Sequence, residues 1–186
     1  FSKSGDFISS SFFFFLMPDW VTKFNSEKHY MDYIQKGWSL LKPATDYNES
    51  LPDDNPYEGK IDKSKGPIFP YDLNKLYKET GADILRTTPF GNDLLADIAL
   101  QAIESESLGK DNDTDFLTVS FSSTDYVGHT FGPRSMEIQD TYLRLDLTLA
   151  RIFDYLDKKV GKDNYLLFLT ADHAAAENPI FLRDRK

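Results

Sequence analysis

No cysteine occurs among the 186 residues. That absence excludes disulfides, thiolate zinc fingers and cysteine nucleophiles. It decides nothing about compartment. Basic charge is also scarce: 21 Lys and Arg stand against 30 Asp and Glu, a net charge of −9. A chain of pI about 4.8 lacks the basic face that a general nucleic-acid or anionic-membrane binder needs. Long apolar runs are missing as well. The longest, Phe12 to Met17, is closed by Pro18, whereas a spanning helix takes about 20 apolar residues. No leader with a basic start and a small-residue cleavage site is present. The chain starts without Met and stops on Leu182-Arg183-Asp184-Arg185-Lys186 with no closing element, so it reads as a piece of a longer protein. There is no phosphate-cradling P-loop, no dinucleotide fingerprint and no Gly-x-Ser-x-Gly elbow.

What is present suffices for a folded core. Hydrophobic residues make up 40% and aromatics 15%, and the length suits one domain, or one with a sizeable insertion. The chain divides near residue 86. Residues 1–86 are irregular, broken by Pro43, Pro52, Pro56, Pro67 and Pro70 with Gly59 and Gly66, and read as loops with short elements in a cap-like insertion. Phe7 to Phe15 is apolar enough for a strand. Pro18-Asp19-Trp20 can open a short helix, and a second runs from Ser26 to Lys36, stopping at Gly37. Asp53-Asp54-Asn55 lacks the ligand spacing of a calcium loop and reads as a solvated turn.

Residues 87–186 are regular. Asn92 is expected to cap a helix carrying Leu94, Leu95, Ile98, Ala102 and Ile103 that closes near Gly109. Residues 116–121 read as a strand. Ser135 can cap a long helix whose apolar stripe runs Ile138, Tyr142, Leu145, Leu149, Ile152 and Leu156. Residues 165–169 form a second strand, apolar on both faces, of the kind found inside parallel sheets. Helix, strand, helix, strand predicts an α/β fold: part of a parallel-sheet α/β/α core beside the irregular region.

The chemistry falls just past the two strands, where ligands of open α/β sheets bind. The first is followed by Ser122-Ser123-Thr124-Asp125-Tyr126-Val127-Gly128-His129, the second by Thr170-Ala171-Asp172-His173. Carboxylate oxygen and imidazole nitrogen are zinc's usual ligands when thiolate is absent. Asp125 and His129 stand four apart, so one turn of chain can aim both at one ion. The spacing leaves a plainer reading open: Asp125 caps a turn, His129 packs beneath the long helix and Asp172 satisfies loop amides. His29 reads as a surface residue. Thr87 and Thr88 read as a tight turn before a cap. Asp140 and Asp146 read as solvated positions on the long helix.

Thr124-Asp125-Tyr126-Val127-Gly128-His129 with Phe131-Gly132-Pro133 resembles the Asp-x-x-Gly-His motif of the alkaline phosphatase superfamily. The similarity is greatest to the phosphate-irrepressible bacterial alkaline phosphatases, relatives of the nucleotide pyrophosphatase/phosphodiesterases. Thr141 to Asp146, Leu169 to His173, Thr88 to Asn92, Gly5 to Ser10 and Pro18 to Val21 continue the resemblance. It implies two Zn2+ ions at the carboxyl edge of a sheet, one held by Asp125 and His129, the other by Asp172 and His173. It further implies a phosphate ester substrate, a Thr or Ser nucleophile forming a phospho-enzyme, and export to the periplasm or beyond. That nucleophile, an early metal-binding Asp and the Lys/Arg contacts to phosphate would lie before residue 1, and a last metal-binding His after residue 186. Thr87, Thr88 and Thr124 are not promoted in their place. Ala174 departs from the pattern, which has Gly after the Asp-His pair. A phosphodiesterase or nucleotide pyrophosphatase with the same metal site, and a catalytically inert scaffold, are the alternatives. Two ligands per ion predict weak or partial zinc binding by these 186 residues alone, and negligible turnover.

Overall fold

Pro18 follows a turn and a bend and opens α1 (Asp19–Glu27). The computed structural model describes all residues, Phe1–Lys186, and contains seven α-helices. The helix expected over Ser26–Lys36 is interrupted: Lys28 takes a left-handed conformation, φ 53°, and α2 (Tyr30–Lys36) starts afresh. A positive φ at a non-glycine residue ends a helix by turning the chain out of its path. α3 (Leu73–Thr80) is capped by Asp72, whose carboxylate accepts from Lys75 N at 3.1 Å. A 3-10 segment, Gly81–Thr87, leads into α4 (Phe90–Ser105). Asn92 is not the cap. Pro89 holds the position before the helix, as a residue with no N–H to satisfy can, and Asn92 lies inside the first turn. α5 (Ser123–Phe131) carries the first Asp-His pair. α6 (Met136–Leu156) follows, with Ser135 Oγ accepting from Ile138 N at 3.1 Å as the sequence predicts. A π turn, Asp157–Gly161, closes α6, and α7 (Pro179–Asp184) is capped by Asn178.

The parallel sheet is not formed. Residues 116–121 and 165–170 are unpaired, the predicted strand over residues 7–15 is instead broken by a turn at Ser11–Phe13 closed onto Ser10 O, and the one β-bridge joins Trp38 to Tyr71. A strand exists only through ladder hydrogen bonds to a neighbour. Neither 116–121 nor 165–170 makes any to another segment. Their apolar side chains stand in the open: Phe116 is 89% exposed and Phe168 81%. The local pattern of a strand is present without the partner that would make it one.

The core is helical. Phe24, Tyr30, Ile34, Trp38, Tyr71, Leu73, Leu76 and Leu85 from the first stretch pack with Phe90, Leu94, Val127, Phe131 and Ile138 from the second. One core thus joins residues on both sides of position 86. α6 reaches it partly through polar residues. Glu137, Asp140, Thr141 and Thr148 are buried, while Tyr142 on the apolar stripe is 59% exposed.

Asp140, expected to be solvated, is a fully buried hub. Its carboxylate accepts from Trp38 Nε1 (2.8 Å), Leu41 N (2.8 Å), Tyr47 Oη and Arg144 Nε (2.6 Å). Four donors, one cationic, replace the lost hydration of the charge. Arg144 is one helical turn away, but the other three donors lie about a hundred residues away in sequence, so no local pattern announces them.

Candidate metal centre

α5 is held against the core along one side. Val127 and Phe131 are buried in the cluster. At its start, a β-carbon on Gly91 would collide with Ser123 Oγ and the Leu85 carbonyl oxygen, so only glycine allows α4 and α5 to approach so closely. Asn92 Nδ2 donates to Thr124 Oγ1 at 3.0 Å across the same junction. At its end, Gly59 N donates to Thr130 O at 2.8 Å, and Leu51 N to Arg134 O at 2.7 Å. The loop carrying Leu51 and Gly59 therefore braces the far end of α5.

Helical spacing turns Asp125 and His129 toward solvent together, one turn apart. Their Oδ1 and Nε2 atoms are 3.4 Å apart. The extended segment after residue 170 brings in the second pair. His173 Nε2 lies 3.6 Å from Asp125 Oδ1 and 3.6 Å from Asp172 Oδ2. All four predicted residues therefore form one string: His129, Asp125, His173, Asp172. None is buried, the Asp125 side chain being 45% exposed and Asp172 91%. The bland placement, with His129 in the core and Asp172 among its own loop amides, is not what the structure has. His173 Nδ1 sits 3.3 Å from the Ala174 carbonyl oxygen. An Nδ1–H donated there leaves Nε2 free as a ligand, the usual support of a metal-binding imidazole.

The spacings fit a metal in pairs but not as a closed shell. Two ligands bonded to one tetrahedral zinc at about 2.1 Å stand about 3.4 Å apart, close to the 3.4 and 3.6 Å separations here. Yet no three His, Cys, Asp or Glu side chains of the chain are gathered so that they could hold an ion. Catalytic zinc takes three protein ligands, so each ion would need a further one.

The hydroxyls near the site have other tasks. Thr87 Oγ1 donates to Ile84 O and the buried Thr88 Oγ1 to Leu85 O, each at 3.0 Å. Residues that sequence reasoning misassigned lie behind the string: Asn92, read as a cap, and Glu137, on which nothing was staked. Glu137 is fully buried and accepts from Tyr71 Oη at 2.5 Å. Burial, with Asp53 and Asp140 adding repulsion, pushes its carboxyl up to about 7. Burial and then Glu137 push Glu58 up to about 8. An acid on the first turn of α6, four residues before Thr141 on the buried face, was the available signal.

Comparison with known proteins is consistent across sequence and structure. Residues 8–185 match the profile of a family described as type I phosphodiesterase / nucleotide pyrophosphatase. The alkaline phosphatase PafA of Elizabethkingia meningoseptica is 48% identical over 98% of this chain and 34% of its own length. The alkaline phosphatase PhoV of Synechococcus elongatus is 47% identical over 98% of this chain and 33% of its own. A Myroides odoratus protein named calcium-transporting ATPase is 50% identical over 99% and 34%. The crystal structure of wild-type PafA superposes with a TM-score of 0.94, covering 98% of this chain and 35% of that one. The chain thus spans about a third of the length of the curated relatives it matches.

Proposed function

The chain belongs to the type I phosphodiesterase / nucleotide pyrophosphatase family, and on that premise we propose that it is the central portion of a zinc-dependent phosphomonoesterase. The observation that carries the reading is Asp125 Oδ1, set at metal-ligand separation from two imidazoles, His129 and His173. The relatives named alkaline phosphatases support the monoesterase assignment. In this reading Asp125 and His129 hold one Zn2+, and Asp172 and His173 hold the other. Bound zinc would supply Lewis acidity toward a phosphate oxygen and toward a nucleophile from the rest of the enzyme. The chain's own contribution is placement. α5 presents two ligands rigidly from its solvent side, and the segment after residue 170 swings two more beside them. Their exposure leaves a path for a phosphate monoester. The remaining ligands, the nucleophile and the strands that would flank 116–121 and 165–170 come, in this proposal, from a longer chain. Export to the periplasm or beyond is part of the same proposal.

Two measurements test it. With the intact protein, kcat/KM for an aryl phosphate monoester should exceed that for the matching diester, and Asp125→Ala should abolish both activities. A diester preference would instead establish the second reading, phosphodiester or nucleotide pyrophosphate cleavage, which the family's own description favours. The 186 residues alone should show no enzyme-like turnover, set against roughly 1–1000 per second for working enzymes. They should also lose zinc on dialysis against a chelator. Rapid turnover or two retained ions would contradict the division of labour.

A further inference from the structure

Asn92 is 1% exposed, on the first turn of α4. Its Nδ2 donates to Thr124 Oγ1 at 3.0 Å, yet its Oδ1 is buried with no hydrogen-bond partner. A buried, unpaired amide oxygen is destabilising. A leucine shares the branched outline of asparagine and carries no polar atom to leave unpaired. An amide that is locally unfavourable and makes a single cross-helix bond points to a purpose other than stability.

We propose that Asn92 is a positioning residue for the candidate metal centre: through Thr124 it fixes the rotation of α5 and so the aim of Asp125. The inference rests on the metal-site reading above. Successive helical residues are about 100° apart around the axis, so pinning Thr124 sets the direction of its neighbour Asp125. The pin adds to the Gly91–Ser123 contact and to the buried Val127 and Phe131, which hold one face of α5 against the core, by bonding the residue next to Asp125 itself. Asp125 in turn must face two imidazoles, His129 and His173, at once. A rotation of α5 by a fraction of a turn would keep His129, which rides on the same helix, and lose His173, which does not. Asn92 therefore governs the contact between the two halves of the site rather than the pair within α5.

The test separates aim from stability. In the intact protein, Asn92→Leu and Thr124→Val should each weaken zinc binding 10–100-fold, the range for residues that orient metal ligands. Zinc affinity is read by competition with a chromogenic chelator. Urea unfolding of each variant, with the near-isosteric Thr124→Val as the one that adds no bulk, shows that the folded state is kept where zinc affinity is read. The double variant should be no worse than Thr124→Val, and Thr124→Ser, which keeps the hydroxyl, should bind as the parent does. Hydrogen exchange at the Tyr126 amide, which closes the first turn of α5 onto Ser122 O, gives a metal-independent reading and should accelerate in both single variants. Unchanged zinc affinity and unchanged exchange in both, with Asp125→Ala abolishing binding, overturns the positioning role. Zinc binding that survives Asp125→Ala overturns the metal-site reading instead, and exchange at Tyr126 then decides the pin by itself.

Discussion

Two regions of this chain are built on opposite plans. Around Asp140, Trp38 and Tyr71, the side chains are buried, and donors from distant segments converge on buried carboxylates. Along the string from His129 to Asp172, the side chains are exposed and stand 3.4–3.6 Å from one another. In the first region the Asp140 carboxylate finds all its donors within these residues, while Glu137 Oε2 is buried without a partner. The second is placed but unfinished: its helix α5 is fastened from behind, while the extended segments leading into both Asp-His pairs have no neighbours. The contrast shows that packing and chemistry can be completed by different parts of a protein. The helical core places the four side chains, and in the proposed function they act as ligands only together with residues from a longer chain.

The comparison is sharpest where the buried region is broken. Asp140→Ala should cost about 3–5 kcal/mol, because it strands a cationic guanidinium and three neutral donors in the interior. Urea unfolding measures this, and a loss below about 1 kcal/mol would mean that the hub is not self-sufficient. A smaller effect follows from pH. Glu137 and Glu58 hold their protons in the folded state up to about 7 and about 8, whereas the unfolded chain releases them near 4.3. Their contribution is therefore full below that value and is lost as pH rises through 7 to 8. The urea midpoint should fall between pH 5 and pH 9. Glu137→Gln, neutral throughout and still able to accept from Tyr71, should flatten the fall; an unaltered slope would remove Glu137 from the account. The smallest effect belongs to the unfinished region. Phe168→Ser, at a position 81% exposed, should change the stability of these 186 residues by no more than about 0.5 kcal/mol. A larger loss would mean that residues 165–170 already pack as part of a core.

Legibility in the sequence followed the range of the interactions. The cap at Ser135, the helix after Pro18 and the four-residue step from Asp125 to His129 depend on neighbours within a turn, and all three stand in the structure. The length of α6 was legible from its stripe, but the burial of its polar face was not. Glu137 and Asp140 find Tyr71, Trp38 and Tyr47 only after the chain has folded back over 66–102 positions. The strand patterns at 116–121 and 165–169 were correctly seen as apolar and extended, yet a sheet is a relation between segments, and alternation within one segment cannot supply the other. Asn92 carried the signature of a cap and lies one turn too far in, because Pro89 already occupies the helix start.

The unpaired segments have a practical consequence for anyone who makes this stretch by itself. Leu166, Phe168 and Leu169 are 81%, 81% and 68% exposed on a backbone with free N–H and C=O groups, and Phe12, Phe13, Phe15 and Leu16, on a turn, add an apolar patch at 73–92%. Extended, apolar, uncharged and open-edged chain is a template for intermolecular β-pairing. Molecules at high concentration will find in each other the neighbours that they lack, and aggregation will rise with concentration. A lysine placed at 168 blunts such an edge. In the longer enzyme proposed above, where residues 165–170 would pair within a sheet, the same substitution would put a charge inside that sheet, so the change that keeps the isolated stretch in solution would work against the whole.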